Sequence, residues 1–134
     1  VGLTDELLLR ALELHARAAG LAEQARALAT ALLELCSQPG IGSFFSISGP
    51  DLAQTLGPVT GRGSSTYQRL LSADIDDCRA RGQMRSTASS TVLASFLVGA
   101  MRTATQLVDE NPELLPELVA GVGDLASGLM SRPD

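Results

Sequence analysis

The feature that most constrains the fold of this 134-residue chain is a set of long segments rich in Ala and Leu. In these segments, apolar residues recur every three or four positions. That period places apolar side chains on one face of an α-helix. Ala and Leu are strong helix formers, and the sequence lacks the alternating β-branched and aromatic runs that indicate strands. The chain is 45% hydrophobic and 19% charged, so it can bury a core. We therefore expect one all-α domain over residues 1–134.

Five long helices are expected, because Gly, Pro and polar capping residues interrupt the apolar pattern. Their expected spans are about Asp5–Ala19, Leu21–Ser37, Ser65–Arg81, Ala88–Asp109 and Asn111–Ser131. The expected caps and stops are Thr4 and Gly20 for the first helix, Gly82 for the third, Ser86 or Thr87 for the fourth, and Asn111 with Pro112 for the last. Between the second and third helices we expect a short turn at Gly42–Ile47 and a long loop at Ser48–Gly63.

The charge of the chain argues against direct binding to nucleic acid. The net charge is −5, no lysine is present, and the arginines are scattered along the sequence. A duplex-binding domain usually carries a basic face, since phosphate contacts supply most of its non-specific affinity. The longest apolar run, Val92–Met101, is about half of what a membrane span needs. With no signal peptide visible, we expect a cytoplasmic protein without membrane contact.

Residues that could carry catalysis or bind a metal are sparse. His15 is the single histidine, which excludes a two-histidine metal site. No motif assembles a nucleophile, a base and an orienting group, and no phosphate-binding or calcium-binding loop is present. We therefore expect no enzyme activity, no metal and no cofactor. Cys36 and Cys78 fall on apolar helix faces, where a free cysteine behaves as a small hydrophobic residue. The sequence alone does not exclude a disulfide between them.

The last two expected helices are more apolar than one subunit is expected to cover. In the fourth helix, one apolar side carries Val92, Phe96, Ala100, Thr103 and Leu107, and the adjoining side carries Leu93, Leu97, Met101, Ala104 and Val108. A helix that is apolar nearly all round is buried on two sides, and in a small domain the second side is expected to face another subunit. Gly121, Gly123 and Gly128 in the last helix would allow close helix approach there, or are tolerated near a fraying end.

Two ionisable residues fall on apolar helix faces. His15 lies on the apolar side of the first helix and Asp74 on that of the third. A buried ionisable group needs a partner, because it otherwise costs several kcal/mol. Either the two are core residues satisfied by a backbone group or by each other, or they are the polar groups of an apolar ligand cavity.

The order of these helices is similar to the regulatory domain of the TetR/AcrR family of transcriptional regulators. The family's connecting helix resembles "GLTDELLLRALELHARAAG", and its next helix resembles "LAEQARALATALLELCSQPGIGSFFSI". The helix that ends in a short Gly turn resembles "STYQRLLSADIDDCRARGQMRS", and the final pair resembles "TASSTVLASFLVGAMRTATQLVDENPELLPELVAGVGDLASGLM". The stretch 76–103 carries most of this likeness. The family's helix-turn-helix head would precede Val1 and is not in this sequence.

The resemblance implies a homodimer, held by a four-helix bundle of the last two helices from each subunit. It also implies a small lipophilic effector that binds among the sensor helices and shifts the connecting helix, so that the parent protein, as a repressor, loses its DNA operator. The expected ligand-binding residues are His15, Leu32, Cys36, Phe44, Phe45, Tyr67, Leu71, Asp74, Phe96 and Ala100. The expected dimer face consists of Leu97, Met101, Ala104, Val108, Leu118, Val122, Leu125 and Leu129.

Two other readings of the sequence compete with a ligand-sensing dimer. A helical adaptor or scaffold would bind a partner helix in a groove and contain no ligand cavity. A small helical enzyme would need a catalytic constellation that the motifs do not supply.

Overall fold

The computed structural model describes residues 3–37 and 66–130, and within those ranges it confirms the all-α fold. The helices are α1 (Leu3–Arg17), α2 (Leu21–Cys36), α3 (66–80), α4 (Ser90–Glu110) and α5 (Leu115–Ser127), with a 3₁₀ turn at Pro112–Leu114 before α5. Five long helices were expected, and each of these corresponds to one of them. The expected turn at Gly42–Ile47 and the whole loop Ser48–Gly63 lie outside the described residues, as do Phe44 and Phe45.

Several expected helix ends are confirmed by the backbone. Gly20 has a φ of 86° between α1 and α2, a conformation that suits glycine. Gly82, with a φ of 72°, follows α3. The amides of Gly82 and Gln83 donate to the carbonyl oxygens of Arg79 and Cys78, which is the hydrogen-bond pattern of a Schellman motif. The Asn111 side chain accepts a hydrogen bond from the Glu113 amide at 3.2 Å, as expected of a cap.

Other expected ends are wrong. Thr4 lies inside α1, which already begins at Leu3. Ser89 caps α4 by accepting from the Val92 amide, whereas Ser86 and Thr87 lie outside the helix. The guanidinium of Arg79 in α3 explains this difference, because it donates to the carbonyl oxygens of Ser86 and Ala88 and holds that stretch against α3.

The last helix also ends earlier than expected. α5 stops at Ser127 rather than near Ser131. Beyond it the chain turns beside the α3–α4 connection, where the Leu129 carbonyl accepts from the Arg85 amide at 2.8 Å. Met84 and Met130 form an isolated antiparallel bridge at the same place.

α2 lies at the centre of the fold. It packs against α1, α4 and α5, and Tyr67 of α3 donates a hydrogen bond to its Leu28 carbonyl at 2.9 Å. Of its sixteen residues, Glu23 and Glu34 alone are exposed. The main core contains the following buried side chains: Leu7, Ala11, Leu21, Ala25, Leu28, Ala29, Ala31, Tyr67, Leu71, Ile75, Cys78, Leu93, Ala94, Leu97, Val98, Met101, Val122 and Ala126. α2 is therefore the helix that its own chain surrounds.

α4 contributes one face to this core and leaves the other in solvent. Among the described residues, α4 is the helix that is long and apolar enough to cross a membrane. Of its most apolar stretch of 18 residues, 44% is buried inside the chain. A core helix of a soluble protein meets the same criterion.

The glycines of α5 differ in their surroundings, and this difference predicts opposite effects of substitution. A Cβ on Gly123 would lie 2.7 Å from Arg26 Cγ of α2, whereas a Cβ on Gly121 would meet nothing within 4 Å. Ala is favoured over Gly inside a helix by about 1 kcal/mol. We expect Gly121→Ala to raise the free energy of unfolding by up to about 1 kcal/mol. Gly123→Ala should gain less or destabilise the fold, because Arg26 must move. Urea denaturation of both variants in dilute solution checks this, and equal gains would contradict the close α2–α5 packing.

Candidate functional site

The surface formed by α4 and α5 is the most distinctive feature of the described residues. Four large apolar side chains are exposed there, and we call them the outer strip: Val92, Phe96, Leu107 and Leu125. Phe96 is 68% exposed and Leu125 is 56% exposed. The positions 92, 96 and 107 lie on one side of α4, since they are separated by about one and three further turns of helix. Scattered exposed leucines are ordinary, but large apolar side chains exposed on one side of α4 and on α5 mark a candidate interaction site.

A groove runs between the two helices beside the outer strip. It has a volume of about 150 Å³ and is lined by Leu93, Phe96, Leu97, Leu125 and Leu129, so it is apolar throughout. α4 supplies the first three of these residues, and the other two follow in and just after α5. The groove is open to solvent and smaller than the few hundred cubic ångströms of a typical small-molecule pocket.

Most of the expected dimer face lies inside the chain instead. The five residues Leu97, Met101, Ala104, Val108 and Val122 are buried in the core of one subunit, with at most 3% of their surface exposed. In this conformation they are not available to a second subunit. Leu118 and Leu129 are half-buried. Leu125 is the one residue of the expected set that is exposed.

The difference between the expected and the observed faces has a physical cause in α4. Both of its long sides are apolar, so the helical period identified the two sides without indicating which one faces the core. The structure turns Leu93, Leu97 and Met101 inward, and the adjoining side with Val92, Phe96 and Leu107 outward. Phe96, expected in an internal ligand pocket, therefore lies on the surface. Ala100, also expected there, is half-buried next to it along the helix.

A second feature is a polar contact in the interior between α1 and α3. His15 Nε2 lies 2.7 Å from Asp74 Oδ2, and the two side chains are only 15% and 10% exposed. One of the two expectations for this pair was that each satisfies the other, and the structure brings the two together in that way. Leu7 and Ala11 of the same α1 face are buried in the main core. The contact therefore joins α1 to α3 within an apolar surrounding.

Burial raises the pKa of the Asp74 carboxyl above its ordinary value of 3.8, against the lowering effects of the hydrogen bond and charge of His15. The nearby Asp77 also raises it. The net direction means that the buried carboxylate is less favourable in the folded chain than in the unfolded chain.

The remaining expected ligand residues are tightly packed. Leu71 has no exposed surface, and Tyr67 is buried with its hydroxyl bonded to α2. Burial, followed by the nearby Cys36, raises the pKa of the Tyr67 hydroxyl. Leu32 is half-buried between the main core and a smaller cluster of Leu33, Cys36, Ala104 and Val108. Phe44 and Phe45 lie outside the described residues.

Both cysteines are free and buried. Burial, with a smaller effect of Asp109, raises the pKa of the Cys36 thiol to about 12, and burial also raises the pKa of Cys78. A thiol that stays protonated at neutral pH is a poor nucleophile.

In residues 3–37 and 66–130, no group of acids, cysteines and histidine has the spacing of a metal site. Within the same ranges, His15 bonds to Asp74 and to no serine or cysteine.

Sequence reasoning missed three hydrogen bonds between α3 and the start of α4. Ser90 at the start of α4 donates a hydrogen bond to Asp76 of α3. Gln68 of α3 donates to the Thr91 carbonyl at 2.9 Å, and its side-chain oxygen accepts from Ser95. These contacts fix the start of α4 on α3, and no periodic pattern could indicate them because they join polar residues distant in sequence.

No protein-family model matches the chain, and no curated protein matches it. The likeness to TetR regulators therefore rests on the order and sequence of the helices alone.

The pH dependence of stability tests whether burial outweighs the interaction with His15 in setting the pKa of Asp74. The pKa of Asp74 is higher in the folded chain than in the unfolded chain, so the folded chain binds the proton more tightly at pH values between the two. The contribution of Asp74 to stability therefore falls as the pH rises through this range. Asp74→Asn removes this titration and keeps an acceptor for His15. We expect the unfolding free energy of Asp74→Asn, minus that of the wild type, to become more positive from about pH 3 to neutrality.

Urea denaturation across that pH range gives the difference directly. The double variant His15→Gln/Asp74→Asn is the control, because it retains only the titrations of the rest of the chain. A difference that is flat or becomes more negative with pH would mean that the contact with His15 outweighs burial.

Proposed function

We propose that this chain is the effector-sensing and dimerisation domain of a TetR-like transcriptional repressor that works in the cytoplasm. The outer strip carries this proposal, because an apolar surface on the last two helices is what a second subunit would cover. The helix order supports it as well, since a long first helix precedes the sensor helices and an apolar pair comes last. DNA contact would come from a helix-turn-helix domain outside these 134 residues.

The energy of covering the strip is comparable with the energy that association needs. Full burial of a Val, Leu or Phe side chain is worth about 1.5–3 kcal/mol. Four side chains that are about half exposed, counted on both copies, would therefore contribute on the order of 10 kcal/mol. Losing the free motion of two molecules costs roughly 4–15 kcal/mol. The strip alone would give a weak dimer, so a stable dimer also needs close packing around the strip.

The contact between His15 and Asp74 supplies a route from effector to DNA. α1 corresponds to the connecting helix of the proposed family, and this contact is a polar link between α1 and the interior helix α3. A small lipophilic effector that binds one arrangement of α1 more tightly than another would shift the population between them. In a dimer, that shift would change the spacing of the two DNA-binding heads.

A second candidate function is a helical adaptor that binds a partner helix without any ligand. The close packing of Cys36, Tyr67 and Leu71 favours it, because these side chains were expected to line a ligand cavity and instead fill the core. The open apolar groove would then receive a helix of the partner.

A charge in the outer strip should separate the subunits. Leu125 is exposed in one chain, so Leu125→Glu should leave the fold intact while placing a carboxylate in the proposed interface. We expect the wild type to sediment as a dimer and Leu125→Glu as a monomer. Leu9→Glu is the matched control, since Leu9 is 70% exposed on α1, away from the strip. A wild type that sediments as a monomer at micromolar concentration would contradict the dimer.

The effector is tested separately by thermal unfolding with a library of lipophilic compounds. A ligand that binds only the folded state adds about 2.7 kcal/mol to the unfolding free energy at a concentration one hundred times its Kd. This added stability raises the midpoint temperature of unfolding. We expect at least one such compound, and His15→Gln should weaken its effect if the contact with Asp74 belongs to the site. A dimer that no compound stabilises, but that captures a helical peptide, would favour the adaptor.

A further inference from the structure

The sulfur-containing residues of the chain differ in how far solvent reaches them. The chain contains two cysteines and three methionines. Cys36, Cys78 and Met101 are buried, with at most 2% of their surface exposed. Met84 and Met130 are half-buried at the surface of the main core. These two methionines are therefore the sulfur-containing residues that a dissolved reagent contacts without opening of the fold.

The same two methionines join parts of the chain that are distant in sequence. Met84 lies in the connection between α3 and α4, Met130 lies just beyond α5, and the two form an isolated antiparallel bridge. Residues directly opposite each other in an antiparallel pair have Cβ atoms about 4.5–5.5 Å apart. Both side chains also pack against the main core. The two thioethers therefore belong to one site, where the end of α5 meets the α3–α4 connection.

The backbone contact at this site is short. The Leu129 carbonyl accepts from the amide of Arg85 at 2.8 Å and from that of Ser86 at 3.4 Å. A pairing of two extended segments that is not part of a larger sheet is only marginally stable in water. The stability of this bridge therefore depends on the apolar side chains that pack beside it, which include Met84 and Met130.

Peroxides oxidise the methionine thioether to a sulfoxide. The sulfur lone pair attacks one oxygen of hydrogen peroxide, and the O–O bond breaks. The other oxygen takes up the proton of the transferred hydroxyl and leaves as water. The product is a polar sulfoxide that no longer suits an apolar contact. The thiols compete poorly for the oxidant, since burial raises the pKa of both Cys36 and Cys78 and keeps them protonated.

We propose that Met84 and Met130 form an oxidation-sensitive latch, at which a peroxide releases the end of α5 from the α3–α4 connection. Oxidation of both residues places a polar group on each side of the bridge, and these groups are better hydrated in solvent than against the core. Reduction by a dithiol, catalysed by a methionine sulfoxide reductase, removes each oxygen as water, forms a disulfide in the reductant and restores the latch. This covalent input is separate from the proposed lipophilic effector and requires no dimer.

Peptide mass spectrometry of the folded chain, after treatment with hydrogen peroxide, tests the selectivity of the oxidation. We expect Met84 and Met130 each to gain an oxygen atom at least about tenfold faster than Met101, because Met101 reacts only after local opening. In concentrated urea the three rates should become similar. Equal rates in the folded chain, or protection of either latch residue, would overturn the proposal.

Amide hydrogen exchange measured by NMR tests the release. The Arg85 amide is bonded to the end of α5, whereas the Gln83 amide of the same connection is bonded to the Cys78 carbonyl at 2.9 Å. After oxidation we expect the Arg85 amide to exchange at least about tenfold faster, with the Gln83 amide unchanged as the internal control. Methionine sulfoxide reductase with dithiothreitol should reverse the change. Faster exchange at both amides, or at neither, would overturn a local latch.

The double variant M84L/M130L is the matched control. Leucine keeps the apolar packing, has no sulfur to oxidise and is among the best-tolerated replacements for methionine. Peroxide should leave the exchange of the Arg85 amide unchanged in this variant. The variant M84Q/M130Q, with a polar group at both positions, should show the fast exchange without peroxide. A peroxide response of M84L/M130L equal to that of the wild type would assign the effect to another residue and overturn the latch.

Discussion

The burial of α2 on nearly every side is the constraint on which the rest of the structure depends. Its apolar residues are distributed around most of its circumference, and only Glu23 and Glu34 face solvent. One neighbour cannot cover such a helix, so α1, α3, α4 and α5 are arranged around it. Small side chains such as Ala25 and Ala29 allow this crowding, as does Gly123, over which the Arg26 side chain lies. Each surrounding helix therefore gives one face to α2 and keeps another outside.

The interior contact between α1 and α3 is of a different kind, because it holds helices together without favouring the fold strongly. Apolar packing of Leu7 and Ala11 would dock α1 without a charged group. Instead, His15 and Asp74 are placed in a site where burial outweighs their mutual attraction for the carboxylate. Although such a buried pair adds little net stability, removal of one partner leaves the other buried without a partner and costs about 3–5 kcal/mol. The contact therefore fixes where α1 lies on α3.

The helices could be predicted from the sequence because their ends are chemically marked. Gly20, Gly82 and Asn111 each provide a local signal that is independent of the tertiary fold. Faces were harder to predict, because orientation depends on which neighbour a helix meets. Phe96 and Leu97 are adjacent, similarly apolar and separated by about 100° on the helix, yet one is exposed and the other buried. Burial indicated that His15 and Asp74 each needed a polar partner, but it left open whether that partner was a backbone group, the other residue or a ligand. The structure pairs the two residues with each other.

The outer strip needs an explanation beyond the stability of the single chain. Phe96 and Leu125 contribute little to the core of the described residues, since each exposes more than half of its surface. Polar side chains at those positions would maintain the helices equally well and would keep the surface soluble. Chain packing accounts for the inward side of α4, where Leu93, Leu97 and Met101 meet α2 and α5. It does not account for Val92, Phe96 and Leu107 on the outward side, where they lie among polar residues such as Thr103 and Gln106. The proposed dimer would cover these three side chains with no change to the fold.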